Sequence, residues 1–401
     1  MDNIQTKTVD VFKSVVYRIP ALFYDRNSET LLAFAEQRET ADDASTKNLV
    51  MSRGTLKDES SGAKTIEWSE FKIVEKAKLL NCRPMNPCPV FEKNTNTLFL
   101  FFICVEDGVT EQWQIKNCTN KARLCYITST DLGQTWSEEG VTELTDKLDE
   151  IKNWKTFAVG PGHGLQMKKG RLIVPVHAYA CVCAPCSSCC CYITCMCSCT
   201  CSAPNALALY SDDRGSTWKL GKMFQSQSGE CQMAEIFDGD KSSIYCNARS
   251  RGCCRVEAVS ENGGADFHTL SNTTKLVETD SGCQGSVVSF PAQGEGADAE
   301  GDPKWLLYTH PCDPCKRFNL GVYVNKSPKD PSKWSKPWII NSGPSGYSDL
   351  AYIGNGWFAC LMECGVKKET EQIASVVFSY DDIKQSTTMQ CIMSCQCFKC
   401  P

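Results

Sequence analysis

No run of this 401-residue chain is apolar for long enough to cross a bilayer: the longest, Leu98 to Val105, falls far short of the roughly 20 residues a membrane helix needs. The first residues, Met1 to Ser14, are polar and mixed in charge, so no secretory leader is expected there. Long basic runs are absent too. With 42 Lys and Arg against 47 Asp and Glu the formal charge is −5, which argues against a nucleic-acid partner. Nor is there a linker: the most polar stretch, Gln293 to Pro303, is too short to separate domains and reads as an acidic surface loop. The expectation is a single domain over 1–401, on the cytosolic side, with no transmembrane helix. Cysteine is what the chain has in excess. Of its 28, ten lie between Cys181 and Cys201 and four between Cys391 and Cys400; the other fourteen are scattered, and those in strand-like runs such as Cys104, Cys125 and Cys360 read as small buried hydrophobes.

Two octets nearly repeat: Ser-Thr-Asp-Leu-Gly-Gln-Thr-Trp from Ser129 to Trp136, and Ser-Asp-Asp-Arg-Gly-Ser-Thr-Trp from Ser211 to Trp218. In each, the Asp suits bonding to its own turn, the Gly permits positive φ, and the Trp closes over the hairpin. The same run-then-turn pattern recurs at Leu49 to Met51 with Trp68, in a degenerate copy from Ser260 to Phe267, at Gly321 to Val324 with Trp334 and Trp338, and at Ala374 to Phe378. Such units, about 65 residues each, predict an all-β, six-bladed β-propeller. The octets are expected at its outer rim, away from any substrate.

Arg18, in Tyr17-Arg-Ile-Pro20, stands among apolar residues of an early strand, where an arginine must be paired or functional. Arg38, Arg249 and Arg317 also fall at strand ends of different units. Read singly, each is an ordinary surface ion pair; converging at one end of a propeller, they suit a carboxylate ligand held by two-pronged guanidinium contacts.

With the octets, Tyr17-Arg-Ile-Pro20 resembles the signature of the exo-α-sialidases. Ala33 to Arg38, Met85-Asn-Pro-Cys-Pro89, Thr156 to His163, Cys283 to Val287 and Gly346-Tyr-Ser-Asp-Leu350 look like the vertebrate cytosolic and membrane-associated members. Phe101 to Val105 and Glu363 to Ile373 are most similar to the branch that acts on gangliosides at the plasma membrane. The resemblance implies a six-bladed propeller that removes terminal sialic acid from glycolipids and glycoproteins with retention of configuration, without metal or other cofactor. It also implies roles. Arg18, Arg249 and Arg317 match the triad that binds the sugar carboxylate, and Glu363 the acid that orients Arg18. Asp43 matches the general acid/base, with adjacent Asp42 leaving the register open. Tyr347 matches the nucleophile, in which sialidases are a known exception among glycosidases, and Glu230 the base paired with it. Glu36, Arg38, Met85, Asn86, Glu111, Tyr179 and Gln284 fall where the family lines the sugar pocket. One departure stands out: Val174-Pro-Val-His177-Ala-Tyr179 has His177 where relatives carry a tyrosine. An imidazole there either titrates in the physiological range or merely fills the ring's place. The alternatives are a trans-sialidase and a propeller that binds sialosides without turnover; the joint presence of Asp43, Glu230 and Tyr347 argues against the second.

The cysteine-rich loop 181–201 directly follows the strand that bears His177 and Tyr179 and contains no histidine. Three readings stand: S-acylation that anchors the protein at a membrane, binding of soft metals such as zinc or copper(I), or no specific role. The tail 391–401 is a second candidate for acylation, and two anchors hold where one does not. The expected location is peripheral, at the plasma membrane or an endomembrane and in the cytoplasm.

Overall fold

A computed structural model describes residues 8–12, 15–180, 203–292 and 304–385; both cysteine tracts and the whole acidic loop, 293–303, lie outside the described residues. The architecture is all-β and propeller-like, built from antiparallel meanders that follow one another along the chain. The first comprises Val16–Asp25, Thr30–Arg38, Thr46–Asp58 and Lys64–Trp68; the second Cys82–Glu92, Thr97–Glu106, Ala122–Ser129 and Thr142–Glu143. The third comprises Trp154–Val159, Leu172–Ala180, Asn205–Ser211 and Lys219–Leu220, with the short Leu165–Gln166 also on Leu172–Ala180; the fourth Cys231–Asp238, Lys241–Ala248, Val256–Ser260 and His268–Thr269. A seven-stranded sheet then runs from Ser286–Pro291 through Lys304–Pro311, Phe318–Asn325, Trp338–Gly354, Trp357–Cys364 and Gln372–Ser379 to Val9–Phe12. Its last pairing sets Val9–Phe12 against Gln372–Ser379, more than 350 positions apart in sequence.

Burial explains the order of strands. The first strand of each meander is buried along most of its length, polar residues included; Trp154–Val159 is buried at every position, Lys155 and Thr156 among them. Consecutive sheets share apolar cores, such as Ala21, Leu32 and Phe34 against Leu98, Leu100 and Phe102. Cys104, Cys125 and Cys360 are wholly buried in such layers, and all fourteen described cysteines are free.

Both octets close hairpins by one bonding scheme. The Ser129 hydroxyl accepts from Gly133 N at 2.8 Å, and Asp131 accepts from the Thr135 amide at 2.9 Å and hydroxyl at 2.6 Å. Ser211, Asp213, Gly215 and Thr217 repeat this at 2.8, 2.8 and 2.6 Å. In the degenerate copy Asn262 replaces the Asp, and its side-chain oxygen still accepts from Asp266 N at 2.9 Å while Ser260 Oγ accepts from Gly264 N at 2.8 Å. The tryptophan goes further than closing its own turn. Trp218 packs edge-on against Phe101 and Phe99 of the preceding sheet, with ring centroids 4.8 and 5.8 Å apart. Gly215 is required beside it: φ is +88°, and a Cβ there would stand 2.3 Å from the Phe99 ring. The octets therefore join sheets as well as closing hairpins, and none of their residues lines the cavity described next.

Candidate functional site

A cavity of about 940 Å³ opens where the first strands of several meanders begin. Two of those strands carry irregularities that aim side chains into it. In Val16–Asp25 the pairing slips between Arg18 and Ala21, and Ile19 has φ of +62°. A β-branched residue avoids that region unless its surroundings hold it there. Glu363 does so, accepting from Ile19 N at 2.9 Å and from Arg18 Nε at 2.6 Å with one oxygen, and from Tyr347 N at 3.1 Å with the other. In Cys82–Glu92 the slip falls between Met85 and Cys88, where Asn86 has φ of +57° and donates its backbone N–H to Glu36 at 2.7 Å. These bulges re-aim Arg18, Met85 and Asn86 at the cavity.

At the floor the Tyr347 hydroxyl donates to Glu230 Oε1 at 2.5 Å and accepts from Arg249 Nη1 at 3.0 Å, while that same nitrogen donates to Glu230 Oε2 at 2.9 Å. The Arg18 and Arg317 guanidinium groups lie 5.5 and 5.2 Å from the Tyr347 ring centre. Burial raises the Tyr347 phenol well above its ordinary pKa, and the Glu230 charge adds to it. Burial acts on Glu230 in the same sense, but Arg249, His177 and the tyrosine hydrogen bond outweigh it and hold the carboxyl below its usual value. At neutral pH the pair is a protonated phenol facing a carboxylate, the arrangement of a nucleophile and its base. Near the mouth, Asp43 Oδ1 accepts from Arg38 Nη1 at 2.6 Å, and Arg38 is held from behind by Glu36 Oε2 at 2.8 and 2.5 Å. Asp42 instead caps the short helical turn Asp43–Ser45 by accepting from Ala44 N at 2.8 Å.

The model of a family described as BNR repeat-like domain matches residues 20–360. Sialidase-3 of Rattus norvegicus is 41% identical over 407 residues, covering 92% of both chains, and Sialidase-2 of Cricetulus griseus is 41% identical over 385 residues, covering 94% of this chain and 95% of its own. The chain belongs to the sialidase family. It is an exo-α-sialidase, a glycoside hydrolase. Among solved structures, Hadza microbial sialidase Hz136 superposes with a TM-score of 0.71 at 21% identity, over 91% of this chain and 66% of that one. Trypanosoma rangeli sialidase in complex with 2,3-difluorosialic acid gives 0.66 at 18%, over 96% and 58%. These two establish the likeness of fold.

In this sialidase twelve of the fifteen residues expected at the site line the cavity: Arg18, Arg38, Asp43, Met85, Asn86, Glu111, His177, Tyr179, Glu230, Arg249, Arg317 and Tyr347. Three do not. Glu363 stands behind Arg18 and accepts from its Nε. Glu36 and Gln284 were expected to face the sugar, but both are fully buried behind the wall. Glu36 is used up by Arg38, Thr46 and Asn86, and Gln284 by Ser348 N at 3.0 Å and the Pro161 carbonyl at 3.3 Å. Sequence reading missed Arg83, Gln112 and Arg251 in the wall. Gln112 lies on the short helix Glu111–Asn117, which carries no helical period long enough to be read beforehand.

His177 settles between its two expectations. It is 7% exposed, and no hydrogen-bond partner for its Nδ1 is found among the described residues. Burial lowers its pKa below the usual imidazole value; Arg249 pushes the same way, against Glu230 and a backbone contact with Gly160. The ring is therefore neutral at neutral pH rather than poised to switch. For a group whose folded pKa is depressed, stability is full above about pH 6.5, the unfolded value, and falls as acid protonates the unfolded chain first. His177→Phe should accordingly flatten the loss of Tm between pH 7 and pH 5. Parallel Tm–pH curves for the two proteins would show that His177 is not a source of the loss.

Proposed function

We propose that this sialidase works with retention of configuration through Tyr347, on sialic acid at the ends of gangliosides and other sialoglycoconjugates. The observation that carries the reading is the Tyr347 hydroxyl at 2.5 Å from Glu230 and 3.0 Å from Arg249. In it, Arg18, Arg249 and Arg317 bind the sugar carboxylate and fix the ring, Tyr347 attacks the anomeric carbon as its proton passes to Glu230, and Asp43 protonates the departing oxygen. Water then attacks the sialyl-tyrosine and gives its proton to Asp43, while the departing Tyr347 oxygen recovers its own from Glu230. Two inversions return the starting configuration. Proton NMR during the first minutes of hydrolysis tests this: α-sialic acid must appear before its β anomer, and β first would overturn the scheme. Lactose added to the same tube separates hydrolysis from a trans-sialidase, since transfer yields sialyllactose.

We read the scaffold as one six-bladed domain. Supporting this, the 17-residue strand Trp338–Gly354 pairs along its first half with Phe318–Asn325 and along its second with Trp357–Cys364, so the seven-stranded sheet divides into two blades.

The membrane surface is the proposed workplace. In sequence the cysteine-rich stretch 181–201 begins two residues after Tyr179 of the cavity wall, and of six exposed large apolar side chains among the described residues, Trp113 shares the short helix of Glu111 and Gln112. Among the described residues no helix is long and apolar enough to cross a membrane. S-acylation of the cysteines would hold the mouth near glycolipid headgroups. Hydroxylamine should then release the protein from membranes, and unchanged fractionation would count against acylation.

A further inference from the structure

Beneath the arginines lies a buried ionic layer with no role in the chemistry above. Glu278, Arg255 and His310 are 3%, 1% and 1% exposed. Glu278 Oε2 accepts from Arg255 Nη1 at 2.8 Å and from Ser250 N at 3.0 Å, next in sequence to Arg249. Its Oε1 accepts from the backbone of Thr279 and Cys283, each at 3.1 Å, and stands 3.0 Å from His310 Nε2. One carboxylate thus draws the 278–283 loop closed at both ends. Gly282, with φ of +90°, completes the turn against Arg249, for a Cβ there would stand 2.7 Å from its Nε. Arg255 secures the far end by donating to the Cys283 carbonyl at 2.5 Å.

What the loop presents to the cavity is a pair of carbonyls. Ser281 O accepts from Arg249 Nη2 at 3.0 Å, and Gly282 O accepts from Arg317 Nη2 at 3.0 Å. We propose that Glu278 is a positioning residue that sets the aim of Arg249 and Arg317 at the substrate carboxylate through this loop. Stability alone is a weak account of it, because a buried ion pair is often no better than an apolar replacement. Guanidinium groups that must meet a planar carboxylate with two bonds, by contrast, depend on their orientation.

The inference rests on the reading of those arginines as carboxylate binders, so its test separates the two. Sialic acid and its C1 carboxamide are compared as competitive inhibitors of fluorogenic sialoside hydrolysis. Wild type should prefer the acid; equal inhibition would overturn the arginine assignment itself. In Glu278→Asp the charge opposite Arg255 is kept while the carboxylate retracts by one carbon. There the preference for the acid should shrink about tenfold and KM rise by a similar factor, with kcat changed less. A variant that loses only Tm, with KM and the acid preference at wild-type values, would overturn the role of Glu278. If that protein fails to fold, His310→Gln, which leaves the Arg255 pair intact, should move the same ratio in the same direction by about threefold; an unmoved ratio overturns the proposal equally.

Discussion

Tyr347→Phe should lower turnover of an aryl sialoside by at least about a thousandfold, the scale on which loss of a nucleophile is felt. The hydroxyl is the one atom lost. The ring keeps its place beneath the Arg18 and Arg317 guanidinium groups, and Glu230 keeps its 2.9 Å contact with Arg249. Tm should therefore change little, and free sialic acid should still bind, because Arg249 loses its bond to the hydroxyl but stays held by Glu230 and the Ser281 carbonyl. In the proposed scheme the reason for a phenol is electrostatic. The carbon under attack carries a carboxylate, and two negative charges 4 Å apart at an effective dielectric constant of 20 repel by about 4 kcal/mol. A neutral hydroxyl approaches without that cost, and the charge appears only as its proton moves to Glu230, where three guanidinium groups stabilise it. Near-normal turnover in the folded variant would remove Tyr347 from the role.

How much of this was legible in the sequence differs from residue to residue. The octets at Ser129 and Ser211 announce their hairpins because side-chain bonds to the local backbone need only a fixed spacing, and even the altered copy at Ser260 keeps the scheme with Asn262. That Trp218 seals one sheet to the preceding one was not legible, since it depends on Phe99 and Phe101, more than a hundred positions away. The left-handed turn at Ile19 contradicts local preference and exists only because Glu363, 344 positions away, receives its N–H. A family resemblance locates residues near a pocket but not on which side of its wall, which is why Glu36 and Gln284 were placed facing the sugar. Glu278 escaped notice for a related reason: its partners are mostly backbone groups, and those leave no trace in residue types.

Asp43→Asn carries the second large effect, and here the leaving group decides its size. Asp43 sits near the mouth with its side chain 69% exposed, and its contact with Arg38 fixes its direction. An alkoxide of a natural sialoside leaves poorly unless it is protonated as the bond breaks, so kcat/KM on sialyllactose should fall by about 10²–10⁴. A phenolate with electron-withdrawing groups needs little such help, and the first step on its sialoside should fall far less. The second step loses its base whatever the aglycone was. With the activated substrate the variant should therefore release a burst of phenol and then stall as sialyl-tyrosine, and azide, which needs no deprotonation, should restart turnover. Losses of equal size on both substrates, with no burst and no response to azide, would take the acid/base role from Asp43.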